Sequence, residues 1–297
     1  MIAKAKQKYP SLIFIAEVYK KELYAQYIRA IGFDYLYDKS GLYDTLRTVV
    51  DKCVNDNGMP VELWQSTTGI TRNWQFLGDL QPYMLNFLEN HDEQRFASDF
   101  FGGDAHKTFA PLYVSLFLNT APFMIYFGEE TGERGMDEEG FSGCDGRTTI
   151  FDWWSVGSVR RLRKLIASGA YKSTSVSALV KGGLKKEEAE IFLKFSTAVR
   201  FAAEDEAVRM GTTYDLCYCN MSSDGFDKNR HYAFLRDYED HTLLIAANFS
   251  AHDAVMKLTI PEHAFEWMGI PITEDMHPGK VIEVTVPSMD GAVITLI

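Results

Sequence analysis

Positive charge is in short supply in this chain: 30 Lys and Arg stand against 41 Asp and Glu, a formal net charge of −11. That deficit argues against a nucleic-acid partner, because polyanion binding rests on clustered Lys and Arg that displace counterions. Neutral and cationic ligands remain open. Cysteine is also scarce, with Cys53, Cys144, Cys217 and Cys219 in 297 residues, and Cys217-Tyr-Cys219 is no zinc spacing. The four read as free thiols. No run is long and apolar enough to span a bilayer, which argues against a membrane partner, and the opening MIAKAKQKYP lacks the apolar core of a secretory signal. This tilts the expected location toward the cytoplasm. Internal repeats and low-complexity tracts are missing, as are GxGxxG, P-loop, HExxH and GxSxG motifs, which removes the common nucleotide, metalloprotease and serine-hydrolase signatures.

What the chain does have is apolar mass, with 46% hydrophobic and 13% aromatic residues, enough for a large core and two units. Four apolar runs mark the first half: LIFIA (12–16), FDYLYD (33–38), MLNFLE (84–89) and FMIYFGEE (123–130). Helix-like segments separate them at 21–31, 42–54 and 106–118, and this alternation predicts βα units with a parallel sheet whose first strand is buried on both faces. Residues 58–81, holding Trp64 and Trp74, read as an elaborated βα loop. A long helix is expected over 185–210, with acids in its first turn. From Gly211 onward, short runs (TYDLCYC, HYAFLRDY, TLLIAANFS, AVMKLTI, VIEVTV, AVITLI) broken by turn residues predict a small antiparallel β-domain.

Two acids stand where strands end. Glu17 closes the first run, and Asn90-His91-Asp92 follows the third. Each could simply face water or form a turn. In a parallel barrel, however, all carboxyl ends open on one face, so Glu17 and Asp92 would meet around one pocket. Paired carboxylates serve glycosidic cleavage, one protonating the leaving oxygen and one stabilising an oxocarbenium-like transition state, and in a partly dry pocket each would raise the other's pKa. His91 could be a core histidine or a donor to a sugar hydroxyl. Tyr19, Tyr35, Tyr37 and Trp64 could stack on pyranose rings or pack as core and rim.

These stretches resemble the α-amylase family, glycoside hydrolase family 13. FIAEVY is similar to its third conserved region, which would make Glu17 the general acid/base. FLENHDEQR is similar to the fourth, with Asp92 as transition-state stabiliser and His91 on the sugar; Asn90, Tyr19, Trp64 and Arg95 are the further substrate contacts this implies. GFDYLYDKSGLYDTLR resembles the segment around the sixth barrel strand, PFMIYFGEETGERG with GCDGRTTIFDWW the eighth-strand region, and the β-rich tail the C-terminal domain. The resemblance implies an α/β fold over 1–210, a partial TIM-type barrel of about the last four βα units with its closing helices, and an antiparallel β-sandwich over 211–297.

The departure from the family is at the start. Only sixteen residues precede Glu17, and none is Asp, so the family's nucleophile has no counterpart there; Asp34 and Asp38 are the substitutes to consider. The expected function is a retaining α-glucan hydrolase acting on starch or malto-oligosaccharide, of which this chain holds the acid/base and stabiliser. The alternatives are a catalytically silent carbohydrate-binding or interaction module, or a truncated fragment without independent function. Half a barrel leaves a sheet edge to be covered, by a missing N-terminal half, a partner chain or self-association. Calcium is common in the family; the sequence assigns it no ligands, and no cofactor is named.

Overall fold

The computed structural model describes residues 1–50, 66–135, 145–152, 154 and 156–297. Four short strands, β1 (Ile15–Ala16), β2 (Tyr35–Tyr37), β3 (Met84–Phe87) and β4 (Phe123–Met124), form a parallel sheet in that order. Ile15 pairs with Tyr35, Leu36 with Met84 and Asn86 with Phe123. Each apolar run thus contributes a strand, shorter than the run itself. The expectation that the first strand is buried on both faces is overturned: Leu12, Ile13 and Ile15 are exposed, with Ile13 at 62%. The reason is that β1 is an edge strand, paired only with β2 among the described residues.

Helix α1 (Ile2–Lys8) precedes the sheet, and α2 (Asp44–Val50), α3 (Thr68–Leu77) and α4 (Phe109–Phe117) lie between its strands. The connection from β1 to β2 is a 3₁₀ turn at Lys21–Leu23 followed by a π-helical segment, Gln26–Ile31, closed by Gly32 at φ 91°. Helix α3 occupies what the sequence suggested was loop; Ile70, Trp74 and Leu77 recur at helical spacing and face the core. Trp64, Cys53 and Cys144 lie outside the described residues, while Cys217 and Cys219 are free thiols.

Helices α5 (Gly157–Ser168) and α6 (Val176–Lys181) lead to α7 (Lys186–Glu204) and α8 (Glu206–Met210). The single helix expected over 185–210 is two, because Asp205 leaves helical geometry and its carboxylate accepts from the Val208 N–H, capping α8. The antiparallel strands follow: β5 (Thr212–Asp215), β6 (His231–Tyr238), β7 (His241–Asn248) and β10 (Asp290–Thr295) make a sheet ordered β10-β7-β6-β5, and β8 (Ala254–Thr259) pairs with β9 (Val281–Val286). TYDLCYC is a strand only to Asp215, then turns into α9 (Cys217–Asn220), the Asp215 carboxylate accepting from the Cys217 N–H. Helix α10 (Glu262–Met268) was not foreseen.

Helix α4 is buried nearly all round and carries the main core. Phe109, Leu112 and Phe117 meet Ile191 and Phe195 of α7 and Tyr232, Phe234, Leu243 and Ile245 of β6 and β7. A second core, with Leu235, Leu244, Met256, Leu258 and Val284, fills the space between the two antiparallel sheets. Among the described residues no helix is long and apolar enough to cross a membrane.

Candidate active site

Parallel strands bring the residues that follow them to one side of a sheet. Glu17 comes directly after β1, Asp38 directly after β2, and Glu89 to Asp92 shortly after β3. Glu17 is exposed, and its carboxylate accepts a hydrogen bond from the Tyr19 hydroxyl. That bond, with burial and the charges of Glu17, Asp92 and Glu93, pushes the Tyr19 phenol up to about 12. The Tyr37 phenol is also pushed up, by burial first and then by Glu17 and Asp92. Glu17 and Asp92, 75 positions apart in sequence, therefore act on the same two hydroxyls. The partly dry pocket expected around them is not formed by the described residues, since both carboxylates stand in solvent.

The loop after β3 is held by its own side chains. Asn90 is buried and its Oδ1 accepts from the backbone N–H of Asp92 and of Glu93, each at 2.9 Å. Its Oδ1 thus shapes the turn. The His91 Nε2 lies 3.4 Å from the Asp92 carboxylate, and both side chains are about half exposed. The Asp92 carbonyl accepts from Arg147 Nε at 2.7 Å, and Gln94 bridges to Arg147. Glu93 ties this loop to the one after β2, through Lys39 at 3.1 Å and the Tyr43 hydroxyl at 3.1 Å. Burial raises the Tyr43 phenol, whose ring stacks on Phe87 at 4.9 Å.

Arg95, expected to touch substrate, is instead fully buried. It donates to Glu89 at 2.7 Å, to Thr148 Oγ1 at 3.0 Å and to the Phe127 carbonyl at 2.8 Å, with its guanidinium over the rings of Tyr126 and Phe127. Glu89 also accepts from the Phe96 N–H. A second buried acid, Glu129, has one oxygen on the Tyr126 N–H and the other without a partner among the described residues. Burial, then the charge of Glu89, lifts its carboxyl well above the usual range. Burial likewise lifts Glu89 while Arg95 pulls against it. Through Glu89 and the Phe127 carbonyl, Arg95 fastens the loop after β3 to the one after β4. The pair's signal in sequence is Glu89 itself, an acid ending an apolar run like Glu17.

Neither substitute nucleophile is offered to that site. Asp34 precedes β2, at the other end of the strand, where it is ion-paired with Lys6 and accepts from the Phe14 N–H. Tyr35 belongs to the same end, lining a cavity with Ile13 and Asp34. Asp38 is on the right side but buried, its carboxyl raised to about 6 by burial against the pull of Leu42, Lys21 and Asn73. Tyr37 donates to Met124 Sδ at 3.3 Å and meets Phe87 edge-on. Among the described residues no three His, Cys, Asp or Glu side chains gather in a group that could hold a metal ion.

The described fold is thus an α/β sheet of parallel strands with Glu17, Asp38 and Glu89 following their carboxyl ends, joined to antiparallel sheets. The particular likeness is to amylase-family enzymes. The chain matches the debranching enzyme of Nostoc punctiforme, in crystals soaked with acarbose, at 18% identity and a TM-score of 0.58, covering 98% of this chain and 52% of that one. It matches the α-amylase of H. orenii at 16% identity and a TM-score of 0.59, covering 98% and 54%. The cyclic α-maltosyl-(1→6)-maltose hydrolase of Arthrobacter globiformis matches at 17% and 0.55, covering 98% and 50%. The chain thus shares the fold of these enzymes and spans about half their length. No protein-family model matches the sequence, and no curated protein does.

Proposed function

We propose that this chain is the acid/base-bearing half of a retaining α-glucan hydrolase of the amylase type, with starch or malto-oligosaccharide as substrate. The observation that carries the reading is that Glu17 follows β1 and Asp92 follows β3 of one parallel sheet, so that both come beyond its carboxyl ends. Glu17 would protonate the glycosidic oxygen and later activate water, and Asp92 would stabilise the positive charge developing at the anomeric carbon. A retaining mechanism needs a third carboxylate as nucleophile, about 5 Å from the acid. That group belongs to a further half, which would pair with the edges at β1 and β4, complete a (β/α)8 barrel and cover Ile13, Ile15 and Ile125. Residues 1–210 would form this half-barrel with its closing helices, and 211–297 the β-sandwich.

Alone, the chain is expected to leave maltoheptaose intact. Joined to the nucleophile-bearing half of an amylase-fold enzyme, it is expected to release reducing ends, at a rate lowered about 10²- to 10⁴-fold by Glu17→Gln or Asp92→Asn. Rapid turnover by the chain alone, or a folded fusion indifferent to both substitutions, would sink the reading.

The occupied state of Asp34 and the burial of Asp38 favour a second reading for the chain by itself: a catalytically silent carbohydrate-binding module. In that case maltoheptaose affinity, measured calorimetrically, survives Glu17→Gln.

A further inference from the structure

We infer that the β-rich part carries a carbohydrate-binding shelf of its own, formed by Tyr218, His263 and Trp267 and suited to a segment of neutral α-glucan; the choice of glucan rests on the function proposed above. The shelf is built around Tyr214 of β5, a buried residue. Its hydroxyl bonds to the Tyr218 hydroxyl on α9 and, at 3.1 Å, to His263 Nδ1 on α10. Its ring centroid lies 6.2 Å from Tyr218, 5.9 Å from His263 and 6.0 Å from Trp267. His263 and Trp267 are four residues apart and so share one face of α10.

The outer members of this group are open to solvent, Tyr218 at 53% and Trp267 at 54%, and His263 is exposed beside them. Clustered exposed aromatics on a soluble surface mark contact sites. The chemistry here suits a pyranose: flat aromatic faces for its C–H surface, with a phenol and an imidazole as the few polar groups that fix orientation. His263 has Nδ1 engaged, and Nε2 has no partner among the described residues. The tethering through Tyr214 holds the side chains in place before any ligand arrives, which lowers the cost of binding. Charge narrows the ligand class. Helices α9 and α10 bring Glu262 and Glu266 and no Lys or Arg, so an anionic sugar or phosphate is disfavoured and a neutral one is not.

The test uses the full chain labelled with 5-fluorotryptophan, whose five tryptophans give separate ¹⁹F lines, that of Trp267 assigned by Trp267→Phe. Maltoheptaose is expected to shift the Trp267 line saturably, cellohexaose far less. Tyr218→Ala is expected to weaken the effect about tenfold, and Tyr218→Phe, which keeps the ring, to retain most of it. If other tryptophan lines move while Trp267 stays still, the shelf is refuted and the α-glucan reading survives. Equal shifts with cellohexaose overturn the assignment to α-glucan. A spectrum unmoved by maltoheptaose also refutes the shelf, and the hydrolysis of the fused halves then decides the wider function independently.

Discussion

Arg95 and Glu89 form an ion pair at 2.7 Å with both side chains closed off from water. Breaking one member of such a pair leaves the other as an uncompensated buried charge. Arg95→Met is expected to lower unfolding free energy by about 3–5 kcal/mol, read from urea midpoints at constant slope. Arg95→Lys should restore only part of this, because three separate acceptors are held by one planar guanidinium. A loss below about 1 kcal/mol for either variant would contradict the role assigned to the pair.

Asp38 gives a pH dependence of opposite habit to most acids. Its carboxyl is raised to about 6 by burial, so the fold binds the proton better than the unfolded chain does. The neutral form is fully accommodated below pH 4, and stability falls as pH rises through 6. Asp38→Asn, which keeps the shape and removes the charge, is expected to raise stability at pH 8 by about 1–3 kcal/mol and to match the parent at pH 4. Equal stabilisation at both pH values would show that the charge is not the cause.

His241 works in the other direction. Its Nε2 sits 2.8 Å from the Asp205 carboxylate, and that bond outweighs burial to raise the imidazole above its ordinary value. A raised basic group stabilises fully below about pH 6.5, and the contribution is lost as pH climbs through the folded value. The side chain is 35% exposed, so screening holds the effect of His241→Gln to about 0.5 kcal/mol at pH 5.5. Thermal unfolding at pH 5.5 and pH 9 checks it: a difference that persists at pH 9 would assign the effect to packing.

Gly291 lets β10 lie against α4. A Cβ at that position would come within 2.2 Å of the Tyr113 ring. Gly291→Ala is expected to cost about 1–3 kcal/mol by overpacking, with partial recovery in the double variant carrying Tyr113→Ala. Strict additivity of the two substitutions would rule out the steric account.

The strand centres were legible because each is an apolar run too short for a helix, and Glu17 and Asp92 stood out as charges ending such runs. Strand lengths were not, since pairing ends where the partner does: LIFIA yields only Ile15–Ala16. Helix α3 was missed because Gly69, Thr71 and Asn73 interrupt the usual composition, although Ile70, Trp74 and Leu77 keep the period. Arg95 was misplaced for a deeper reason. In sequence it belongs to a polar loop, and only folding reveals that Thr148 and the Phe127 carbonyl complete its shell. His91 and Asn90 look equivalent as letters, yet one is half exposed and the other spent on the turn.

Buried Arg236 bears on how the molecule could be dissected. Its guanidinium donates to the carbonyls of Ala207 and Val208 on α8 and to Thr213 Oγ1. Severing the chain at Gly211, where the strands begin, would strip two of those acceptors from the guanidinium. Keeping α8 with the strands retains those two acceptors but still opens the core in which Tyr232, Phe234, Leu243 and Ile245 meet α4 and α7. The strands are thus tied to the helices before them both by one buried guanidinium and by a shared apolar core, and a cut that respects the first still breaks the second.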